Sequence, residues 1–473
     1  MNNNRRNFIK TSILGGFALG LPTAAGSCVS PQNAATEVAS TGAIKAVVPP
    51  RKGKSVMGLR TDPIKNVRVG VVGVGARGSG AVYRLARVPG CEVVALCDVR
   101  PDQITKSQKT LADAKKPAAK EFSGEDGWKK MCEDKDIDLI YNCTPWNLHT
   151  PIAVFAMEHG KHTAIEVPAA LTIDECWQLV DTAEKTQRHC MMLENCCYDF
   201  FELATLNMAR NGVFGEIIHG EGAYIHDLRS YMFEDQAYYQ NWRLEHNAAH
   251  TGNPYPTHGL GPIAQIMEIN QGDRIDYMTS MSTNEFGLTL YAQNKFGADS
   301  PQAKRAYKLG DMNTTLLHTV KGHTIMIQHD VTSPRPYDRL HIISGTKGYA
   351  SKYPTQQIAI EPEAHGFLKQ EEFKELMAKY EHPLAKSIGE IARSVGGHGG
   401  MDYMMDYRLI YCLNNGFPLD QTVYDAAAWN SVVELSEKSV TNQSASYEVP
   451  DFTRGAWETT KPWPVIDMQD VKF

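Results

Sequence analysis

The sequence predicts an α/β fold, with a doubly wound parallel sheet followed by an α+β domain that has a large, open and mainly antiparallel sheet. Three observations support this prediction. Short β-branched runs alternate with helix-like segments between residues 67 and 198, a glycine-rich turn joins the first strand to the first helix, and longer alternating strands follow residue 215. Strands that alternate with helices form parallel sheets, whereas successive strands favour antiparallel pairing.

The glycine-rich turn follows the first predicted strand, VRVGVVGVG, and places Gly73, Gly75 and Gly78 in GxGxxG spacing. The first glycine permits a tight turn, the second lets a pyrophosphate approach the backbone, and the third lets the helix pack against the sheet. Asp98 ends the next strand, twenty residues after Gly78. A carboxylate there binds ribose hydroxyls and repels a 2′-phosphate, so this domain is predicted to be a Rossmann domain that binds NAD.

The remaining strands of this sheet are predicted at residues 91–98, 121–122, 137–145, 162–168 and 190–198. Helices are predicted at 80–87, 101–114, 149–159 and 173–186. Ligands of doubly wound sheets bind at the carboxyl ends of the strands. Residues 144–149, 166–167 and 195–198 are therefore expected to line the cofactor crevice.

Five regions are predicted along the chain: an export signal (1–30), a linker (31–60), the NAD-binding domain (61–198), a substrate domain (199–440) and a C-terminal extension (441–473). The substrate domain is expected to expose one face of its sheet. Helices at 401–414 and 423–438 are expected to pack back on the first domain.

The N-terminus is predicted to be a twin-arginine signal, because NRRNFIK (residues 4–10) precedes an apolar run too short to span a bilayer. This route exports folded proteins, so the predicted location is the periplasm or cell envelope, with the nucleotide already bound. Cleavage near residues 24–27 and lipidation of Cys28 are the two alternatives for processing.

Composition excludes several other classes. The net charge of −6 offers no basic surface for nucleic acid. No segment after the signal is long and apolar enough to be a transmembrane helix. The ten cysteines form no CxxC pair, so neither a disulfide framework nor a metal site is expected.

The order of elements resembles the sugar and inositol oxidoreductases of the Gfo/Idh/MocA family. Members of that family usually carry Glu-Lys-Pro at the fifth strand, where the lysine assists proton transfer. Here the tripeptide is Glu166-Val167-Pro168, so the lysine is absent. This departure argues for altered chemistry.

Several local motifs resemble one branch, glycoside hydrolase family 109, whose members are NAD-dependent α-N-acetylgalactosaminidases. The motifs are PWNLH (145–149), LENCCY (193–198), HDLR (226–229), YPTHG (255–259), RPY (335–337) and GHGGMDY (397–403). The resemblance implies a redox route instead of the usual pair of carboxylates. NAD would oxidise the sugar at C3, which acidifies the C2 proton; elimination, hydration and return of the hydride would complete hydrolysis.

The resemblance also implies roles for individual residues. His258 and Tyr198 are the expected catalytic residues, with the division of proton transfer between them left open. The residues expected to contact NAD are Gly73, Gly75, Ala76, Arg77, Gly78, Asp98, Trp146, Asn147, Leu148, His149, Glu166, Val167 and Asn195. Those expected to bind the sugar are Tyr224, Arg243, Tyr255, Pro256, Thr257, His258 and Tyr337.

Other histidines have structural alternatives. His226, His398 and Asp402 are predicted neighbours of the site, although a structural His–Asp pair explains them nearly as well. The histidines of the later strands (His318, His323, His329 and His341) share no ligand spacing and are interpreted as structural.

Two alternatives to a glycosidase remain. One is an exported NAD(P)-dependent sugar oxidoreductase, against which the missing lysine and the YPTH segment count. The other is a Rossmann-type protein that only binds a sugar or nucleotide. Pairing of the open sheet face between subunits would make a homo-oligomer.

Overall fold

The computed structural model describes residues 42–234, 237–362 and 364–462. The predicted export signal, Cys28 and the first part of the linker lie outside the described residues. From Ala43 onward the chain belongs to one compact unit. No helix in the described ranges combines the length and apolar character needed to cross a membrane.

The first half of the chain forms a six-stranded parallel sheet in the order β3-β2-β1-β4-β5-β6. Its strands are β1 (Val67–Val72), β2 (Cys91–Asp98), β3 (Lys120–Ser123), β4 (Leu139–Asn142), β5 (His162–Ile165) and β6 (Cys190–Met192). Its helices are α1 (Ala76–Leu85), α2 (Pro101–Asp113), α3 (Gly127–Glu133), α4 (His149–Glu158) and α5 (Ile173–Thr186).

The second half forms an eight-stranded sheet in the order β13-β12-β11-β7-β10-β9-β8-β14. Its strands are β7 (Ile217–Ile225), β8 (Ile275–Ser282), β9 (Asn313–Thr319), β10 (Thr324–Asp330), β11 (Asp338–Gly345), β12 (Gly348–Ser351), β13 (Gln357–Ile360) and β14 (Tyr447–Glu448). Among the described strands of this second sheet, only β7 and β10 pair in parallel. The fold class predicted from the sequence is therefore confirmed.

The helices of the second half lie mostly before and after the sheet strands. They are α6 (Phe200–Arg210), α7 (Arg229–Met232), α8 (Trp242–Ala249), α9 (Thr257–Ile266), α10 (Gly287–Phe296), α11 (Pro301–Lys304), α12 (Gln370–Lys379), α13 (Pro383–Val395), α14 (Met401–Asn415) and α15 (Val423–Thr441). The sequence analysis did not predict the helices from α7 to α13. Two 3₁₀ turns, Trp146–Leu148 and Asn195–Tyr198, follow β4 and β6.

The two sheets share a core because α14 and α15 return to the first half of the chain. On α14, Asp406 accepts hydrogen bonds from Tyr141 on β4 and from Arg84 on α1, each at 2.7 Å. On α15, Trp429 is almost fully buried, and the Glu434 carboxylate accepts the backbone N–H that begins α5. The predicted return of these two helices is confirmed.

Two local predictions differ from the structure. Helix α1 begins at Ala76, four residues earlier than predicted, because the turn at Gly73 reverses the chain within three residues. The predicted linker is not a free tether over its second half: Val56 is 5% exposed, its N–H donates to Tyr424, and Arg51 pairs with Glu184 on α5. Apolar and charged partners far along the chain hold this segment in place.

Candidate active site

The glycine-rich turn has the backbone geometry that the sequence predicts for a pyrophosphate site. Gly73 has a φ of +79°, and a Cβ on Gly78 would lie 1.9 Å from the Gly73 carbonyl oxygen. No side chain caps α1, and no acidic residue occupies its first turn. The first N–H groups of the helix, beginning at Ala76, are therefore free of side-chain partners and suit an anion.

Asp98 lies at the tip of β2, as predicted, and is 8% exposed. Its carboxylate accepts the backbone N–H of Val74 and that of Arg100, each at 2.9 Å. An ionised carboxylate has about four acceptor positions, so lone pairs remain for ribose hydroxyls. Asp98 thus also stabilises the glycine-rich turn. The sequence analysis did not predict this second role of Asp98.

His149 has a different environment from the one expected for a cofactor ligand. Its two ring nitrogens lie 2.7 Å from the carbonyl oxygens of Pro168 and Thr144, and its side chain is buried. Neither nitrogen is left for NAD. The residue instead holds together the loops that follow β4 and β5. Asn147 and Leu148 lie in the adjacent 3₁₀ turn, where the Leu148 carbonyl is within 3.4 Å of the Asn142 amide.

Arg77 lies in the first turn of α1 and extends across the carboxyl edge of the sheet. It donates to Glu166 at 2.6 Å and to Asp402 at 2.9 Å. Burial, the largest single effect, would raise the pKa of the Asp402 carboxyl, but Arg77, His398 and Arg84 together outweigh it and hold this pKa well below its usual range. The guanidinium is therefore occupied by protein carboxylates, and its backbone N–H is the group available to a phosphate.

Asn195 follows β6 and is 1% exposed. Its amide nitrogen donates to Asp402 at 2.5 Å. This bond orients the amide, so that its oxygen is the acceptor available to a carboxamide. Val167, beside Glu166, is also buried and offers no titratable group.

His258, in the first turn of α9, pairs with a carboxylate that the sequence analysis did not assign to the site. Its Nδ1 lies 2.8 and 3.0 Å from the two oxygens of Glu194, which is fully buried at the end of β6. Burial, the largest single effect, favours the neutral acid, but His258, together with the Thr257 hydroxyl and the hydrogen bond from the Cys196 N–H, outweighs it and lowers the pKa of Glu194 below its usual value. The carboxylate therefore fixes the ring and its tautomer.

Glu194 was identifiable in principle, because it follows a buried strand as Glu166 does. Its side chain, with the Cys196 thiol and the His258 ring, brings three potential metal ligands within 4.8 Å of one another. The thiol is buried and its pKa is raised by that burial, so it is a neutral neighbour of the His258–Glu194 pair.

An aromatic cluster surrounds His258. The ring centroid of Tyr255 lies 4.9 Å from that of His258 and 4.7 Å from that of Tyr224, and Tyr255 stacks on Trp146 at 5.7 Å. Pro256 precedes α9, and Thr257, its first residue, is buried. Trp146 follows β4, so the cluster connects the cofactor edge to the second sheet.

Arg243, on α8, lies among these rings without a carboxylate. Its guanidinium carbon is 5.2 Å from the Trp146 ring centroid and 5.1 Å from that of Tyr255. Nη1 donates to Tyr238 at 3.0 Å, whereas Nε and Nη2 are buried without a hydrogen-bond partner among the described residues. Unpaired buried donors are costly, so these two groups mark a place for a polar ligand.

Tyr337 closes another side of the cluster, 6.4 Å from Tyr224, and His226 lies 5.2 Å from it. Tyr198 does not join this group. Its hydroxyl donates to Asp420 at 3.4 Å, and its ring is buried beside Arg408 of α14. This placement gives no support to the predicted proton transfer by Tyr198.

Comparison with known families agrees with these two halves. Residues 67–194 match the oxidoreductase family with an NAD-binding Rossmann fold. Residues 198–459 match the glycosyl hydrolase 109 C-terminal domain, which is more than half of the chain. The protein belongs to glycosyl hydrolase family 109. It is an enzyme, a glycosidase whose cofactor is NAD.

Relatives within the family cover most of the chain. An α-N-acetylgalactosaminidase of Bacteroides fragilis is 55% identical over 406 residues, which is 85% of this chain and 96% of that protein. A glycosyl hydrolase family 109 protein of Porphyromonas gingivalis is 47% identical over 462 residues, covering 94% of this chain and 97% of the relative.

Solved structures share the fold. A levoglucosan dehydrogenase in complex with NADH and levoglucosan superposes with a TM-score of 0.62 at 18% identity, covering 81% of this chain and all of that one. An aldose–aldose oxidoreductase of Caulobacter crescentus gives a TM-score of 0.58 at 14% identity, with coverages of 81% and 100%. At these identities the likeness establishes the architecture alone.

Proposed function

We propose that the enzyme removes terminal α-linked N-acetylgalactosamine by oxidation, elimination, hydration and reduction, with NAD recycled in each turnover. The observation that carries this proposal is the buried His258–Glu194 pair, which lies between the strand-end residue Asn195 and the Tyr224–Tyr255 cluster. The name of the Bacteroides fragilis relative supports the choice of sugar.

The residues present fit the dinucleotide. The uncapped N-terminus of α1 suits its phosphates, Asp98 a ribose, and Asn195 the carboxamide. When bound, NAD supplies a hydride acceptor at the sugar C3 and later returns the hydride.

His258 is the proposed acid–base residue. Because Glu194 accepts from Nδ1, Nε2 is left to exchange protons with the substrate. It takes the C2 proton, which a neighbouring ketone acidifies, and protonates the departing glycosidic oxygen. Val167 occupies the position at which the Gfo/Idh/MocA oxidoreductases usually carry a lysine. The lysine that assists proton transfer in those enzymes is therefore absent from this chain.

The sugar is proposed to bind against Tyr224, Tyr255 and Tyr337. Aromatic rings stack on the apolar face of a sugar. The unpaired Nε–H and Nη2–H of Arg243 donate to a hydroxyl or to the acetamido carbonyl. A ligand that accepts hydrogen bonds from both donors removes the free-energy cost of burying them without a partner.

The test uses the purified protein without added nucleotide and an aryl α-N-acetylgalactosaminide in deuterium oxide. Aryl alcohol should be released without accumulation of NADH, and the recovered sugar should carry deuterium at C2. Release without deuterium at C2 would refute the elimination route. Accumulation of NADH on free sugar, with no aryl release, would support the oxidoreductase alternative.

We propose further that the twin-arginine signal directs the folded enzyme to the periplasm or cell envelope. Fractionation of cells that express the chain with both Arg5 and Arg6 changed to lysine should show retention in the cytoplasm. Mass spectrometry of the exported chain distinguishes cleavage from a lipid on Cys28. Export of the double-lysine variant at the native level would contradict the proposal.

The open sheet face is a proposed subunit contact. Met281 on β8 and Leu316 on β9 are 66% and 49% exposed on this face. Exposed apolar patches mark interaction surfaces. Light scattering should show an oligomer that the Leu316→Lys variant weakens; a monomeric native chain would exclude it.

A further inference from the structure

One buried carboxylate, Asp402, has contacts that the proposed reaction does not require. It lies in the first turn of α14 and is 1% exposed. Oδ1 accepts from the Asn195 amide at 2.5 Å, and Oδ2 accepts from Arg77 at 2.9 Å. These two partners come from two elements at the carboxyl edge of the sheet: Arg77 from the helix that follows the glycine-rich turn, and Asn195 from the 3₁₀ turn after β6, where the carboxamide is expected.

The partners of Asp402 also leave it charged and fully satisfied. Nη1 of Arg84 is 3.4 Å from Oδ2, and the His398 Nδ1 is 2.9 Å from the same oxygen. The lowered pKa described above keeps the carboxylate ionised at neutral pH. A buried anion with several donors holds those donors rigidly, because removing it leaves buried charges unpaired.

The segment that delivers His398 has an unusual backbone. Residues 396–400 have five successive positive φ values, and four of the residues are glycines. His398 is the exception, with a φ of +47°. A Cβ on Gly397 would lie 2.7 Å from the Asp402 Cβ, so this loop can approach the carboxylate only without a side chain there. Gly397 therefore serves the contact between the loop and Asp402.

We propose that Asp402 and the loop of residues 396–400 form a clasp that retains NAD in the crevice between turnovers. Asp402 is a positioning residue: it acts through Arg77 and Asn195 and does not touch the reacting atoms. The proposal rests on the recycled cofactor of the proposed function, because a glycosidase that consumes no NAD gains by never releasing it. In this proposal, residues from both halves of the chain act together to retain NAD.

A purely structural role is the competing explanation, and α14 itself offers the control. Asp406, one turn later, is equally buried and also joins the two halves through Arg84 and Tyr141. Tyr141 lies within β4, before residues 144–149 that are expected to line the crevice, and Arg84 lies two turns along α1 from Arg77. An effect of Asp402 that Asp406 does not share is therefore specific to the crevice.

The test compares the full-length Asp402→Asn, Asp406→Asn and His398→Ala variants with the native enzyme. NAD that remains bound after desalting is quantified by chromatography of the denatured protein, its dissociation rate is followed during dialysis, and the melting temperature is recorded. Asp402→Asn should release NAD about tenfold faster or more, since hydrogen bonds to charged groups are lost. His398→Ala, whose side chain is 57% exposed, should have a smaller effect in the same direction without loss of fold.

Asp406→Asn should lower the melting temperature and keep its NAD. The proposal is overturned if Asp402→Asn and His398→Ala retain NAD as the native enzyme does, or if NAD loss follows melting temperature alike in all variants. Glycosidase activity with excess NAD is measured separately. Absence of that activity in the native enzyme would refute the proposed function, whereas the retention assay judges the clasp.

Discussion

The cofactor crevice and the aromatic cluster around His258 lie next to each other but differ in whether their polar groups have hydrogen-bond partners within the protein. In the crevice, Arg77 donates hydrogen bonds to two carboxylates, and Asn195 donates one to Asp402. In the cluster, Arg243 donates to one tyrosine hydroxyl and has two donors without a partner among the described residues. The ring of the buried His329 lies 6.1 Å from that of Tyr224, and both of its nitrogens likewise lack a described partner. Under the proposed function, protein groups would complete the site of a retained cofactor, whereas the site of a transient substrate would be completed only by its ligand.

His258→Gln should produce the largest effect. General acid–base catalysis contributes about 10²–10⁴-fold, so kcat should fall by this order while bound NAD is unchanged. His250→Gln is the matched control, because His250 also pairs with a glutamate, Glu437, at 2.9 Å but lies at the surface. Equal activity of the two variants would remove His258 from the mechanism.

Arg77→Met should destabilise the enzyme strongly. The buried Glu166 carboxylate would lose its cation and Asp402 would lose one of its partners, and breaking a buried ion pair costs about 3–5 kcal/mol. Urea denaturation measures the loss in the free energy of unfolding. Arg68→Met, which removes a partly exposed ion pair with Asp138, serves as a control and should cost much less. An equally small loss in Arg77→Met would show that the crevice is not preorganised as described.

Arg243→Met should separate function from stability. The change removes a buried cation that has no carboxylate partner, so the melting temperature should stay constant or rise. Loss of hydrogen bonds to the sugar should lower kcat/KM by about 10²-fold. Differential scanning fluorimetry and initial rates test the two parts. A marked fall in the melting temperature of Arg243→Met would contradict the proposed difference between the cluster and the cofactor crevice.

Acidification should give the smallest and most gradual effect. The folded-state pKa values of Glu194 and Asp402 lie below their ordinary values of 4.5 and 3.8. As the pH falls below these ordinary values, the unfolded state binds protons first, so the free energy of unfolding decreases until the folded pKa values are passed. Urea titrations at several pH values should show a shallower decrease in Glu194→Gln than in the surface control Glu437→Gln. Parallel curves would contradict the assignment.

The sequence predicted those parts of the crevice that depend on local chain geometry. Gly73, Gly78 and Asp98 lie where their spacing placed them, because a strand, a turn and a helix within thirty residues define them. His149 and Tyr198 show the limit of this reasoning. Both follow strands as expected, but the hydrogen bonds of His149 go to carbonyl oxygens and that of Tyr198 to Asp420. Position along a strand fixes where a Cα lies and leaves the direction of the side chain open.

The sequence by itself determined the alternation of strands and helices in the first half, the NAD-binding turn and the family motifs, since each depends on periodicity or on neighbouring residues. Tertiary structure alone decided which charges meet. Glu194 reaches His258 across 64 residues, and Asp402 reaches Arg77 across 325. The packing of α9 against the 3₁₀ turn after β6 and of α14 against α1 and β1 determines these partners, because a buried charge is stable only where folding brings its counter-charge within hydrogen-bonding distance.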